Sequence, residues 1–218
     1  MKRLFLLLAV LSATVMPLLA QEEQGIPVDV FYLMPEFGKG TVSYQGQRPV
    51  QGTFNICAVD NTVRFHNAQG EEMAAEDSGL TRVVIDGVTF VRNDRRFFRL
   101  YPVSGDVCVA VVRDVTILTD SKNTAYGGQS QTTAVSEYTT MTAEGRIYNL
   151  EEYRSFPYRM SETASLFNGT SFVPLNKKNL QKSFPQGKDA IEEYFKSHRS
   201  VPANDVQAVL ELCRSWAE

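Results

Sequence analysis

The sequence has few of the residues on which most catalytic and cofactor sites depend. Its 218 residues include two histidines, three cysteines and one tryptophan. His66 and His198 have no cysteine or acidic residue at ligand spacing, so neither predicts a zinc site or a serine–histidine–aspartate triad. No Walker loop, Rossmann glycine pattern, haem attachment sequence or Cys-x-x-Cys pair is present. We therefore assign no catalytic, cofactor-binding or metal-binding residue from the sequence, and we expect no cofactor.

The three cysteines, Cys57, Cys108 and Cys213, leave at least one thiol unpaired in any disulfide arrangement within the chain. Cys57 and Cys108 lie in predicted strands and form one candidate pair, because an oxidising compartment permits disulfides. The alternative, which we favour, is three buried free thiols. Neither arrangement predicts redox catalysis.

Apolar runs long enough to span a bilayer are also absent. Residues 1–20 read MKRLFLLLAVLSATVMPLLA. Lys2 and Arg3 precede an apolar core and a cleavage-site pattern that closes with Ala20, as in a secretory signal peptide. The apolar run is shorter than the ~20 residues that a membrane-spanning helix needs, which argues against an anchor. We expect export, cleavage after Ala20 and no transmembrane segment in the mature chain.

Excess positive charge is absent too. The formal net charge is −3, and removal of residues 1–20 with Lys2 and Arg3 makes it −5. A mildly acidic protein is a poor match for nucleic acid or an anionic membrane. The expected partner is another envelope protein or a glycan.

The mature chain is rich in β-strand patterns, above all in residues 81–120. Ile85-Asp86-Gly87-Val88 predicts a two-residue type I′ hairpin, because Asp and Gly tolerate the positive φ angles of that turn. Residues 107–112 are apolar at every position, which predicts a strand covered on both faces, with the C-terminal helices as the candidate cover.

Further strand patterns flank this stretch. Asp60-Asn61 predicts a second hairpin turn, residues 71–79 predict a short helix or a loop, and Asn168-Gly169 predicts a later hairpin turn. Asn168 also begins an Asn-Gly-Thr glycosylation sequon, but we favour the turn. The predicted strands are residues 29–34, 41–44, 52–59, 62–66, the two strands of the hairpin 83–91, and residues 96–101, 107–112, 134–141, 146–150, 159–167 and 171–175. Short turns between them favour a meander of neighbouring antiparallel strands.

Residues 121–133 have no apolar period and predict a loop. The loop is either a tether, which we favour, or a binding loop with Tyr126 at its tip. Downstream, Asn176 predicts a helix N-cap, and three short amphipathic helices follow, with Trp216 on a buried stripe.

The predicted fold class is therefore mainly β (α+β). An antiparallel meander forms a sandwich or partial barrel, and a C-terminal subdomain contains about three short helices. The predicted divisions are a signal peptide (1–20), an antiparallel β domain (21–120), a flexible loop or linker (121–133), β-hairpins (134–175) and a helical tail (176–218).

Two charged patterns have both a structural and a functional interpretation. Alternation places Arg96 and Phe98 on one strand face, and Phe97, Arg99 and Tyr101 on the other. Such mixed faces favour a charge-protected edge strand over a site for an anionic glycan or nucleic acid.

The acidic pairs are best explained as solvated surface charge rather than as the facing carboxyls of a glycosidase; they are Glu71-Glu72, Glu76-Asp77, Glu151-Glu152 and Glu192-Glu193.

Several segments together resemble uncharacterised secreted proteins of Gram-negative bacterial envelopes. They are GTFNICAVDNTVRF, VVIDGVTFVRN and FFRLYPV, and the tail from LNKKNLQKSFPQGKD to LELCRSWAE. The resemblance implies the periplasm or the cell surface as location and implies no activity. We expect a non-catalytic binding or interaction module of the envelope. The alternatives are a carboxylate-dependent hydrolase and a structural component of an envelope assembly.

Overall fold

The computed structural model describes residues 27–118 and 157–217. The strands in these residues are β1 (Gly38–Tyr44), β2 (Val50–Cys57), β3 (Thr62–His66), β4 (Glu72–Ala74), β5 (Leu80–Ile85), β6 (Val88–Asn93), β7 (Arg96–Ser104), β8 (Val107–Ile117), β9 (Tyr158–Phe167) and β10 (Phe172–Val173). The helices are α1 (Val28–Phe31), α2 (Lys177–Ser183), α3 (Lys188–Ser197) and α4 (Val206–Ala217). Within the same ranges, no helix has the length and apolarity that crossing a membrane requires.

All ten strands belong to one open antiparallel sheet, in the order β10-β9-β8-β7-β6-β5-β1-β2-β3-β4. The predicted mainly β fold with short C-terminal helices is confirmed. From β5 to β10 the sheet is the predicted meander, in which each strand pairs with the next. The meander prediction is wrong at β1, which pairs with both β2 and β5. The ribbon β2–β3–β4 therefore forms the far end of the sheet.

Two glycines allow β1 to lie against β5. A Cβ atom at Gly40 would overlap the carbonyl oxygen of Val84, and one at Gly38 would overlap the Asp86 carboxylate. A backbone carbonyl in a ladder cannot move aside, so only glycine permits this approach. The sequence Gly38-Lys39-Gly40 thus explains why β1 can accept a second neighbour.

The predicted Asp86-Gly87 hairpin is confirmed. Ile85 pairs with Val88, and the two central residues have φ values of 46° and 81°, as a type I′ turn requires. The Asn168 hairpin also forms, but its loop has four residues, because Phe167 pairs with Phe172. The side-chain oxygen of Asn168 accepts hydrogen bonds from this loop, in agreement with the turn interpretation.

Strand β8 is covered on both faces, as its apolar sequence predicts. Val109 and Val111 lie in a core cluster with residues of α2, α3 and α4. Ala110 and Val112 point the other way and pack with Phe98. The C-terminal helices are thus the cover for one face only.

The three C-terminal helices form where the sequence predicts them. Asn176 caps α2, because its side-chain oxygen accepts a hydrogen bond from the Asn179 N–H at 2.9 Å. Trp216 is 3% exposed and packs in the helix–sheet cluster, so its predicted burial is confirmed.

One local prediction is wrong and another holds in part. Residues 29–34 do not form a strand, since α1 occupies Val28–Phe31 and Tyr32 makes only an isolated antiparallel bridge to Cys57. Of the helix or loop predicted at residues 71–79, residues 75–79 are a loop, while Glu72–Ala74 form the short strand β4. The predicted loop 121–133 and the predicted hairpin strands 134–141 and 146–150 lie outside the described residues.

Candidate functional site

An open groove of about 600 Å³ lies over β1, β2 and β5. The side chains of Thr41, Gln51 and Val84 form one row across it, because Thr41 is the cross-strand partner of both others. The residues that line the groove are Lys39, Gly40, Thr41, Gln51, Gly52, Thr53 and Val84. Its lining is therefore mixed, with two hydroxyls, one amide and one ammonium group beside apolar surface.

The backbone under this groove has little hydrogen-bonding capacity left. Strand β1 pairs with β2 on one side and with β5 on the other, so Gly40, Thr41 and Val42 have a ladder partner in each direction. An extended peptide cannot join a sheet at an interior strand, because joining uses the free N–H and C=O groups of an edge. A ligand in the groove must be recognised mainly by side chains.

A second polar site lies farther along β2, on one face of β2, β3 and β4. Asn55 pairs with Arg64, and Arg64 pairs in turn with Ala74. Alternation places Cys57 and Glu72 on the same face. We call Asn55, Cys57, Arg64 and Glu72 the polar layer. Asn55 is 1% and Arg64 0% exposed, which is unusual for an amide and a guanidinium on the face of a sheet.

Residues 27–37 run beside β2 beyond the end of β1, and the Tyr32 side chain reaches from this segment across the face of the polar layer to Glu72. We call this segment the strap. Its backbone joins β2 at two points: Ala58 N–H donates to the Phe31 carbonyl at 2.8 Å, and Leu33 N–H donates to the Ile56 carbonyl at 2.9 Å. The Phe37 ring then lies 4.4 Å from the His66 ring, centroid to centroid.

Arg64 is the most unusual member of the polar layer. Its Nη2 donates to the Asp60 carboxylate, while Nε and Nη1 have no hydrogen-bond partner. A buried charged donor without a partner keeps the cost of leaving water and gains nothing in return. The closed strap therefore carries an energetic penalty at Arg64.

Tyr32 connects the strap to the polar layer. Its hydroxyl donates to Glu72 Oε1 at 2.7 Å. Burial, and then the hydrogen bond to the Glu72 carboxylate, raise the pKa of the Tyr32 phenol. Burial also raises the pKa of the Cys57 thiol, although the backbone N–H groups of Val59 and Asp60 donate to its sulfur. In the closed arrangement Cys57 is a neutral thiol without nucleophilic character.

The strap also contacts the opposite end of the sheet. Arg113 Nη1 donates to the carbonyl oxygens of Asp29 and Tyr32, and its guanidinium pairs with Glu162 at 2.8 Å. Val115 packs against the same apolar cluster as Cys57. The strap thus lies between the ends of β2 and β8, which no ladder joins.

The arginine–aromatic pattern on β7 follows the predicted faces. Arg96 lies over Phe98 and pairs with Asp114 at 3.3 Å, while Arg99 lies over Tyr101, with 4.9 Å from its Cζ to the ring centroid. The edge-strand interpretation is wrong, because β7 is interior, between β6 and β8.

The other residues that the sequence singles out are dispersed. His66 contacts Phe37, and His198 stacks on Tyr194 at the end of α3 with 4.2 Å between ring centroids. All three cysteines are free, and burial raises the pKa of Cys213 to about 12. In residues 27–118 and 157–217, no three histidine, cysteine or acidic side chains form a group that could hold a metal ion.

Three of the acidic pairs lie within the described ranges, and five of their carboxylates have a named polar partner, among them Glu71, which accepts from Asn67 Nδ2 at 2.9 Å. Asp77 pairs with Arg92, Glu192 with Lys177, and Glu193 with Lys196. These three contacts agree with the surface-charge interpretation. Glu72 is the exception, since it receives the Tyr32 hydroxyl beneath the strap. The pair Glu151-Glu152 lies outside the described residues.

We compared the chain with protein-family models, with curated proteins and with solved structures, and none of them matches it.

Proposed function

We propose that this chain is an exported, non-catalytic binding module of the envelope of a Gram-negative bacterium, and that its groove binds a glycan. The observation that carries the proposal is the groove itself, with Lys39, Thr41, Gln51 and Thr53 around an interior part of the sheet. Export and the periplasmic or surface location rest on the leader pattern of residues 1–20.

A glycan suits this groove better than a peptide strand does. Sugar hydroxyls both donate and accept hydrogen bonds, and so do the Thr41 and Thr53 hydroxyls and the Gln51 amide. The ladders on both sides of β1 leave no free edge for strand addition. An envelope protein is the second candidate ligand, because the same hydroxyl and amide side chains can bond to the polar groups of a protein surface.

The test is a glycan array probed with residues 21–218, followed by calorimetry with the best ligand. Gln51→Ala/Thr53→Val removes two exposed polar groups from the groove and should weaken binding about thirtyfold, since two hydrogen bonds of about 1 kcal/mol each are lost. The matched control, Gln69→Ala/Thr116→Val, changes the same residue types at exposed positions outside the groove and should bind normally.

Equal loss in both double variants, or no glycan bound by the parent, would contradict the groove proposal. A protein captured by crosslinking in the envelope fraction, and lost in Gln51→Ala/Thr53→Val, would support the protein ligand instead. Cleavage of a bound glycan would move the assignment to the hydrolase. Retention of the full chain in the cytosol of its producer would contradict export.

A further inference from the structure

We propose that the strap, residues 27–37, opens as a unit at a lower free energy than the rest of the fold, and that its opening gates the Cys57 thiol. The inference does not depend on the groove, which lies on other residues of the sheet. It rests on Arg64, on the contacts that hold the strap, and on the position of Cys57 below it.

The buried position of Arg64 favours opening of the strap. Its side chain is fully buried, and its Nε and Nη1 have no hydrogen-bond partner among the described residues. Opening would expose these N–H groups to water and relieve the penalty. Global unfolding would relieve it too, but only with the loss of both large apolar clusters. Partial opening is therefore the less costly way to hydrate the guanidinium.

The contacts that hold the strap allow it to open separately from the sheet. Helix α1 has four residues, too few for a helix that is stable by itself. The chain then turns away from the sheet at Pro35 and Glu36, which are both exposed. The strap buries Val30, Phe31 and Tyr32, and hydrogen bonds to β2, Ala58, Glu72 and Arg113 hold it, two of them from the Asn55 side chain. Apart from the single bridge of Tyr32 to Cys57, no strand ladder in the described residues ties it to the sheet, so it can open without breaking a ladder.

Cys57 is the group that opening would release. It is 0% exposed, and Tyr32 of the strap is its isolated bridge partner. When water reaches the sulfur, burial no longer opposes the thiolate. The Asp60 carboxylate opposes the thiolate but is itself paired with Arg64, whereas the Arg64 charge and the Asp60 and Val59 N–H groups favour it. The open state thus presents a reactive thiol, and the closed state an inert one.

Cys213 provides an internal comparison, because it is also 0% exposed but lies in the helix–sheet cluster. The test uses two single-thiol proteins, Cys108→Ser/Cys213→Ala and Cys57→Ala/Cys108→Ser, and a small aromatic disulfide reagent. The protein thiolate attacks the reagent disulfide, forms a mixed disulfide and releases one reagent thiolate, which is measured. Cys57 should react at least about tenfold faster than Cys213, with a weaker urea dependence. Equal rates and equal urea dependence would overturn the proposal.

Two further variants test the role of the contacts. Arg64→Met/Asp60→Asn removes the buried charges and should slow labelling of Cys57, because the closed state no longer holds unpaired N–H groups. Tyr32→Phe removes the bond to Glu72 and should speed it. A change of Cys213 labelling by the same factors would show an effect on global stability and would overturn the gating.

Hydrogen exchange of the unmodified protein tests, without any substitution, whether the strap opens more easily than the rest of the fold. The Ala58 and Leu33 amides bond across the strap–β2 boundary and should exchange before the amides of β8. If the Ala58 and Leu33 amides exchanged together with the amides of β8, and only on global unfolding, the proposal would also be overturned.

Discussion

The side chain of Asn55 binds the backbone of Met34 twice, with its Oδ1 accepting from the Met34 N–H at 3.1 Å and its Nδ2 donating to the Met34 carbonyl at 2.9 Å. Met34 lies between the regular β1–β2 ladder and the isolated Tyr32–Cys57 bridge, where the strap is not paired in the sheet. Gly38 still pairs with Phe54, and the next bridge along β2 is that of Tyr32 to Cys57. The Asn55 amide thus supplies the hydrogen bonds that a regular ladder would have supplied to this bulge.

Asn55→Ala should lower the free energy of unfolding by about 2–3 kcal/mol, because it leaves the Met34 N–H and carbonyl without partners. Urea denaturation gives the measurement. Asn93→Ala is the control: Asn93 is an exposed asparagine at the end of β6, where a change within about 0.5 kcal/mol is expected. Similar losses in the two variants would contradict the bridging role.

Stability should fall at alkaline pH because of Tyr32. Its folded-state pKa is raised by burial and by the Glu72 hydrogen bond. Above about pH 10 the unfolded chain releases the phenol proton while the folded chain keeps it. The folded state then loses about 1.4 kcal/mol for each pH unit relative to the unfolded state. Urea titrations across this range should show a shallower slope in Tyr32→Phe, and an unchanged slope would refute the assignment.

Gly40→Ala should destabilise the protein more than Gly87→Ala. At Gly87 a Cβ atom meets nothing within 4 Å, so the cost is the φ of 81° alone, about 1 kcal/mol. At Gly40 the new atom would overlap the Val84 carbonyl, and overpacking typically costs about 1–3 kcal/mol. Chemical denaturation of both variants tests the order, and the reverse order would contradict the close approach of β1 and β5.

Leu166→Ala should loosen the helical cover. Leu166 is 0% exposed and lies in the same cluster as Trp216, the only tryptophan. Loss of this side chain from the core should cost about 2–5 kcal/mol. The emission of Trp216 should shift to the red at a lower urea concentration than in the parent. Val50→Ala, at an exposed position, should leave the midpoint unchanged; a matching shift there would argue against specific docking.

Features set by neighbouring residues could be predicted from the sequence. The Asp86-Gly87 turn requires only two positive φ values in succession, and the Asn176 cap requires one side chain three residues before a free N–H. Val109 and Ala110 face two different covers, as an apolar run predicts.

Features set by distant contacts could not be predicted. Residues 29–34 have a strand-like pattern, but the Pro27 carbonyl accepts from the Val30 and Phe31 N–H groups and starts α1. Arg64 alternates with Val63 and Phe65, a pattern typical of a strand with one solvated face. In the structure Arg64 is buried, and Tyr32 of the strap reaches Glu72 on the same face. Glu72 belongs to the acidic pair Glu71-Glu72. Nothing in that pair predicts a hydrogen bond with Tyr32, which lies 40 positions away in the sequence.

The place of β1 between β2 and β5 has a consequence for how the chain folds. In the described ranges β5 to β8 pair with their neighbours in sequence, and so do β9 and β10, whereas β1 pairs with β5 only after β2–β4 have been made. Because the chain is synthesised from its N-terminus, β1–β4 emerge first with one edge of β1 unpaired. The slow steps of folding should therefore be the two pairings of greatest sequence separation, β1–β5 with partners 36 to 45 positions apart and β8–β9 with partners 41 to 59 positions apart. The unpaired edge of β1 is the place where a chaperone or a second nascent chain would bind.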